Sequence, residues 1–271
     1  VAIELAGATY RYAGAPAAAI READLRIEPG RVTGLVGANE SGKSTLCLVA
    51  GGFAPVVVGG RLTGSVRIDG DETAGLPGHL LAQRCGLLFQ NPSTQLSNTT
   101  ATVFEEVAFG PCNLGLPVDD VAERVWRALG AVGIEALAPR DPGRLSGGQS
   151  QLVALAGVLA MRPAYLILDE PTSELDPAGT RLVAQAIARA ARDTGAGVLL
   201  VEHKTEVLAG IADEIAVLED GRVALCGTAA EILADPRLAE LGVEAPARVR
   251  LERGLRGAGV EMTGTLREAL A

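Results

Sequence analysis

Arg31-Val-Thr-Gly-Leu-Val36-Gly37-Ala38-Asn39-Glu40-Ser41-Gly42-Lys43-Ser44-Thr45 is the stretch whose reading decides the fold. Its first six residues have the length and apolar content of a short buried strand. The glycines at 37 and 42 bracket a tight loop, and a helix is expected to begin near Lys43. Two glycines at that spacing followed by Lys and Ser form a phosphate-binding loop. Its backbone N–H groups wrap phosphate oxygens, and the helix N-terminus adds partial positive charge. The cradle is then Gly37, Ala38, Asn39, Glu40, Ser41 and Gly42. Lys43 reaches the β- and γ-phosphates of a nucleotide, Ser44 offers its hydroxyl to Mg²⁺, and Thr45 bonds a neighbouring phosphate oxygen. A chance glycine turn would need neither the strand before it nor the helix after it.

Upstream, Ile3-Glu4-Leu5 and Leu25-Arg26-Ile27 alternate as short antiparallel strands joined through a turn around Gly14 and Pro16. Downstream, strands are expected at Val66 to Asp69, Gly86 to Phe89, Tyr165 to Asp169, Gly197 to Glu202 and Glu214 to Leu218. Several are near-continuous apolar runs, which suit a parallel sheet covered on both faces. Between them Val121, Val125, Leu129 and Val132 recur at helical spacing, as do Leu152, Leu155 and Leu159. The fold expected is α/β: a P-loop NTPase (RecA-like) core with a mainly parallel sheet. An N-terminal antiparallel β-subdomain precedes it, and a helical subdomain is inserted at about 91–160. Asp220-Gly221 marks a hairpin, and Thr228 caps a short helix that Asp235-Pro236 ends. The division expected is a nucleotide-binding domain over 1–227 and an appended C-terminal segment over 228–271.

A phosphate loop needs a carboxylate to hold its metal from a neighbouring strand end. Tyr165-Leu-Ile-Leu-Asp169-Glu170 supplies two. Asp169 is the metal-side acid, and Glu170 is placed to polarise an attacking water. An acidic pair after a strand is ordinarily a solvated strand end. Beside a phosphate loop the chemical reading takes over.

Composition narrows the classes. A formal charge of −9 argues against broad contact with nucleic acid, which clustered Lys and Arg would carry. No run approaches the roughly 20 apolar residues of a membrane span, and no basic stretch followed by an apolar signal core opens the chain. Cys47, Cys85, Cys112 and Cys226 show no CxxC or zinc-like spacing and read as reduced, packed thiols.

Leu145-Ser146-Gly147-Gly148-Gln149 is a small-residue loop at a helix start, a second anion site. With it, the sequence resembles the ATP-binding cassette family across nearly the entire chain. That resemblance implies that Ser146, Gly147, Gly148 and Gln149 contact the γ-phosphate of ATP held by the other subunit of a dimer. It makes Gln90 the Q-loop glutamine near Mg²⁺, Ser173-Glu-Leu-Asp176 the D-loop and His203 the switch histidine. An aromatic stacks on adenine in this family; Tyr12 is favoured, with Tyr10 as the alternative. ATP and Mg²⁺ are the implied cofactors, with Glu170, His203 and Gln90 in catalysis and Ser44, Gln90 and Asp169 at the metal. His79 has no such context and reads as a surface residue.

Gln90-Asn-Pro-Ser-Thr-Gln95 and Val103-Phe-Glu-Glu-Val-Ala-Phe-Gly110-Pro-Cys-Asn-Leu-Gly-Leu-Pro117 look like the ATPase subunits of energy-coupling factor transporters, which import vitamins or transition-metal ions. Val201-Glu202-His203 and the stretch around Leu241 to Leu251 resemble the same branch. The implied partners are a second cassette, identical or not, and integral membrane subunits, with the chain peripheral on the cytoplasmic face of the membrane. Alternatives are a conventional importer cassette, a cassette ATPase acting on nucleic acid or ribosomes, and a nucleotide-binding regulator without turnover. The first also needs a membrane partner. The second lacks a heptad region, a basic linker and a basic surface, and intact Glu170 and His203 oppose the third. Three residues depart from the family pattern: Glu40 inside the loop, Leu152 where Arg commonly stands and Glu174 in the D-loop. They would suit a heterodimer or half of a fused pair, with tolerated variation the simpler account.

Overall fold

The computed structural model describes residues 1–258. From the N-terminus the elements run β1 (Ile3–Arg11), β2 (Ile20–Ile27), β3 (Val32–Val36), α1 (Lys43–Ala50), α2 (Phe53–Val56), β4 (Arg61–Ile68), β5 (Asp71–Glu72), α3 (Gly78–Arg84) and β6 (Cys85–Leu88). The helical stretch follows as α4 (Val103–Asn113), α5 (Val118–Ala131) and α6 (Gly147–Met161). The chain then returns to the sheet through β7 (Tyr165–Asp169), α7 (Pro177–Thr194), β8 (Gly197–Val201), α8 (Thr205–Ile211), β9 (Glu214–Glu219) and β10 (Arg222–Thr228). It ends in α9 (Ala229–Leu233) and α10 (Ala247–Gly257).

The strands make two sheets. β2-β1-β4-β5 is antiparallel throughout, and β10-β9-β3-β8-β7-β6 is parallel except for its β9–β10 edge pair. β3, β7 and β8 are buried at every position, as expected for strands covered on both faces. Successive side chains on a strand leave by opposite faces. Tyr165 and Ile167 of β7 therefore enter a core shared with the antiparallel sheet, while Leu166 and Leu168 enter a core shared with the helices.

Local chemistry explains the element ends. Asp220 (φ 45°) and Gly221 (φ 79°) give the two positive-φ residues that a tight antiparallel turn requires, and Glu219 faces Arg222 across it. Thr102, Ser146 and Thr228 each close a reciprocal capping box, with Glu105, Gln149 and Glu231. Val121, Val125, Ala128 and Leu129 form the buried stripe of α5. α6 is buried on several sides because α4 and α5 both pack on it.

β4 begins at Arg61, five residues before the expected Val66, because Gly64 (φ 80°) lets the strand bulge against Gly7 and continue along β1. The expected boundary after 227 marks no break in the core. Ala229, Ile232, Leu233, Leu238, Val243 and Ala245 join the cluster that holds the helices and the parallel sheet. Of the expected C-terminal segment, 259–271 lie outside the described residues. No described helix is long and apolar enough to cross a membrane.

Candidate nucleotide and active site

The order β3-β8-β7-β6 in the parallel sheet sets four loops side by side at the strands' C-terminal ends, where ligands of such sheets bind. After β3 comes Gly37 to Gly42, after β8 His203, after β7 Asp169-Glu170, and after β6 Gln90. A cavity of about 390 Å³ opens there, lined by Ala19, Asn39, Glu40, Gly42, Lys43, Ser44, Thr45, Gln90, Glu170 and His203.

The loop's shape depends on its glycines. A Cβ on Gly37 would sit 2.2 Å from the Leu218 carbonyl oxygen, and one on Gly42 (φ 103°) 2.8 Å from the Ala19 carbonyl oxygen. Lys43 is buried, and its Nζ donates to the carbonyl oxygens of Gly37 (3.0 Å) and Ala38 (2.8 Å). Burial pushes its pKa down while Glu170 and Asp169 push it back up, so a cation is held inside a loop that faces two acids. Glu40 is exposed in a left-handed conformation (φ 63°) on the cavity lining.

Glu170 has the densest set of contacts. Gln90 Nε2 donates to Oε2 at 3.0 Å, and His203 Nε2 lies 3.0 Å from Oε1. Its own backbone is left-handed (φ 52°), and its N–H donates to the Val201 carbonyl oxygen at 3.1 Å. Asp169 is different. Burial raises its pKa, Ser44's hydroxyl lowers it and Glu170 raises it again. Its Oδ1 is fully buried with no hydrogen-bond partner among the described residues. An orphaned carboxylate oxygen beside a serine hydroxyl is the hard-oxygen donor set that Mg²⁺ takes, so the residues present fit the metal.

Tyr10 is fully buried, and its hydroxyl donates to the Gly59 carbonyl oxygen at 2.6 Å, which removes it as a base-stacking candidate. Tyr12 is half-buried, stacks edge-on to Tyr10 at 5.0 Å and meets Thr45 Oγ1 through its hydroxyl at 3.1 Å. It stands at the loop's flank, outside the cavity lining. None of Ser146, Gly147, Gly148 and Gln149 lines the cavity either. Ser146 and Gly147 are exposed, and Ser146 caps α6, with Gln149 N donating to Ser146 Oγ at 3.3 Å. His79 is exposed and remote from these groups.

A family model described as ABC transporter matches residues 20–173, more than half of the chain. The nickel import ATP-binding protein NikO of Rhodobacter capsulatus is 41% identical over 86% of this chain and 91% of its own length. The energy-coupling factor transporter ATP-binding protein EcfA1 of Symbiobacterium thermophilum is 40% identical over 90% of this chain and 83% of its own. The chain is an ABC transporter ATPase. Among solved structures, a dimeric ATP-binding cassette in a post-hydrolysis state with ADP and Pi superposes with a TM-score of 0.73 at 26% identity, covering 84% of this chain and 98% of that one.

Several polar residues that shape this ABC transporter ATPase are given no role by the sequence, although Gln95, Glu106 and Glu202 lie in the stretches that resemble energy-coupling factor subunits. Gln95 stitches the segment after β6 to the strand, accepting from Phe89 N at 3.0 Å and donating to the Leu87 carbonyl oxygen at 2.9 Å. Glu106 is buried in α4 and gathers Ser97 and Thr100, whose hydroxyls each donate to Oε2 at 2.7 Å. Glu202 and Thr172 are buried next to the strand ends that carry His203 and Glu170.

Proposed function

We propose that the chain binds ATP with Mg²⁺ on its phosphate loop, completes the site with a second cassette's signature loop, the counterpart of Leu145–Gln149, and uses hydrolysis to energise a membrane importer of the energy-coupling factor type. The observation that carries this reading is the separation within one chain of two anion sites. Lys43, Ser44, Glu170, Gln90 and His203 line the phosphate cavity, with Asp169 buried behind Ser44, while the capped, exposed loop from Ser146 to Gln149 stays off its lining. A loop of that kind, presented outward, suits a phosphate held by another chain.

In this reading Lys43 and the loop amides hold the phosphates, and Ser44 and Asp169 hold Mg²⁺, with Gln90 beside them. Bound there, the metal would supply positive charge to offset that of the phosphates. Glu170 takes up hydrogen bonding to the attacking water, and His203 orients Glu170 from the other side. Tyr12 flanks the base. Importer coupling draws on a second feature. Val57, Val58, Phe89 and Phe109 are exposed around an apolar groove of about 440 Å³ that abuts the Gln90 segment and reaches α6. An exposed apolar groove of this kind suits a protein partner, and one that moves with Gln90 would sense the nucleotide. The relatives that import nickel or carry the energy-coupling factor name favour an integral membrane partner at the cytoplasmic face.

Two measurements test the proposal. ATPase activity plotted against chain concentration should rise more steeply than linearly until dimers saturate. Purification from membranes should recover integral membrane subunits with the chain, with the cargo class identified by any bound vitamin or metal. Strictly linear activity at proven monomer concentrations overturns the two-chain site. Recovery with nucleic acid and no membrane protein overturns the importer.

A further inference from the structure

Behind the catalytic strand ends lies a buried ionic group that none of the roles above uses. Glu202, at the end of β8, is 2% exposed, and Thr172 is wholly buried. Glu202 Oε1 accepts from Thr172 twice, from its backbone N at 3.2 Å and from Oγ1 at 2.5 Å. Lys204 closes the other side. Its backbone N lies 3.5 Å from Glu202 Oε2, and its Nζ donates to the Thr172 carbonyl oxygen at 2.7 Å and to Thr180 Oγ1 at 3.2 Å. All of Thr172's polar atoms are therefore held by the segment Glu202–Lys204.

The connectivity gives this its meaning. Thr172 stands two residues after Glu170, and Glu202 stands one residue before His203. His203 Nε2 and Glu170 Oε1 are 3.0 Å apart. The two strand-end segments thus form a closed ring, joined at one point through His203 and Glu170 and at the other through Glu202 and Thr172. Glu170 holds a left-handed backbone (φ 52°), a conformation that persists in a non-glycine residue only where its surroundings impose it. Burial works against ionisation of Glu202, while Thr172 and Lys204 favour it, so the carboxylate depends on these partners. A buried carboxylate kept in this way is a structural commitment to one geometry.

We propose that Glu202 is a positioning residue for hydrolysis: by clamping Thr172 it fixes the Glu170 segment against the His203 segment, so that the two side chains meet in the geometry turnover needs. The inference rests on the reading of Glu170 and His203 as the hydrolytic pair. Glu202 itself touches no nucleotide.

The test uses the full chain in its transporter, with kcat, KM for ATP, nucleotide affinity and thermal midpoint measured for each variant. Glu202→Ala should lower kcat by about 10- to 100-fold, the range expected from misplacing a reacting group by an ångström or less, with ATP affinity nearly unchanged. Glu202→Gln keeps an acceptor oxygen for Thr172 and should recover most of that loss. Thr172→Val removes the 2.5 Å hydroxyl bond and should reproduce the kcat defect, while Thr172→Ser restores it. The threonine pair carries the test should Glu202→Ala not fold. Parental kcat in Glu202→Ala or Thr172→Val overturns the proposal. So does a loss that appears in ATP affinity rather than kcat, or a Glu202→Gln variant as slow as Glu202→Ala. Glu170→Gln run alongside separates the two layers. Near-parental turnover there removes the hydrolytic pair itself, whereas an inactive Glu170→Gln beside a normal Glu202→Ala removes only the positioning role.

Discussion

Replacing Glu170 by Gln should stop turnover while leaving the fold and ATP binding in place, and the structure sets the two magnitudes against each other. The carboxylate is 15% exposed and engaged by Gln90 and His203, each at 3.0 Å. A glutamine keeps one acceptor oxygen for Gln90 Nε2 and turns an N–H toward the His203 ring, so both contacts have a neutral counterpart. A hydrogen bond to a charged group contributes about 1.5–3 kcal/mol and a neutral one about 0.5–1.5 kcal/mol, so each exchange would lose roughly 1 kcal/mol in a buried setting and less with partners as exposed as these. Part of that returns, because the Glu170 charge acts against ionisation of Asp169 next to it. The net change in stability should stay below about 1 kcal/mol, close to what exposed partners such as Gln90 and His203 permit. Removing a positioned general base lowers the rate by about 10²- to 10⁴-fold, or roughly 3–5 kcal/mol of barrier. The assay is steady-state phosphate release at saturating ATP, with nucleotide binding and thermal melting on the same preparations. Turnover within about threefold of the parent would refute the role of Glu170. A loss matched by equal loss of ATP binding would show that the carboxylate holds the site together instead.

Asp169→Asn should split stability from activity. Burial raises the Asp169 pKa, so its ionised form weakens the fold above that pKa, and the penalty fades as pH falls through it. Without nucleotide at neutral pH the Asn variant should melt no lower than the parent, with the gap closing in acid, while Mg²⁺-dependent hydrolysis falls by about 10²-fold or more. Chelating Mg²⁺ should bring the parent to the same low rate. Gly37→Ala forces a Cβ to 2.2 Å from the Leu218 carbonyl oxygen; we expect a loss near 3 kcal/mol in denaturant titration and no ATP binding. Thr102→Ala removes the α4 cap, and equilibrium unfolding should report about 1 kcal/mol lost with kcat unaltered.

The placement of the parallel strands was legible because burial on both faces leaves continuous apolar runs, and chemistry follows directly at their ends. Gly37, Asp169 and His203 stand immediately after, at the end of, or two residues beyond such runs in β3, β7 and β8. What could not be read is polar and tertiary. The roles of Glu202, Thr172, Gln95 and Glu106 do not follow from local pattern, and only the fold shows that the first two and Glu106 are buried and that all four are hydrogen-bonded. Tyr12 is favoured over Tyr10 by its position before a turn, and β1 ends at Arg11, one residue short of it. The strand pairs irregularly between Ala8 and Tyr10, and only Tyr10 is sealed beneath Gly59. The C-terminal stretch after Thr228 lacked periodicity for a similar reason. Its buried residues are set by where α8 and the β9–β10 edge pair leave room, not by a regular helix face.

The three departures from the family pattern separate once they are placed. Leu152 is half-buried against the core that holds the helices, so an apolar residue there has a packing role of its own. Glu40 lies exposed on a left-handed turn, a position whose backbone, more than its charge, is what the loop must keep. Glu174 stands apart from both. Its Oε2 lies 3.2 Å from where a Cβ on Gly147 would sit, and its backbone oxygen is 3.0 Å from the same point on Gly148. The start of α6 carries partial positive charge, so a carboxylate beside it is favourable within one chain. On the two-chain reading, a phosphate from the other cassette approaches that same helix start and meets a negative charge already there. The D-loop carboxylate therefore stabilises the separate chain at the position where it opposes the closed pair. A partner whose nucleotide reaches this signature loop must supply the compensating positive charge or displace Glu174. On that reading the requirement falls on the surface of the second cassette.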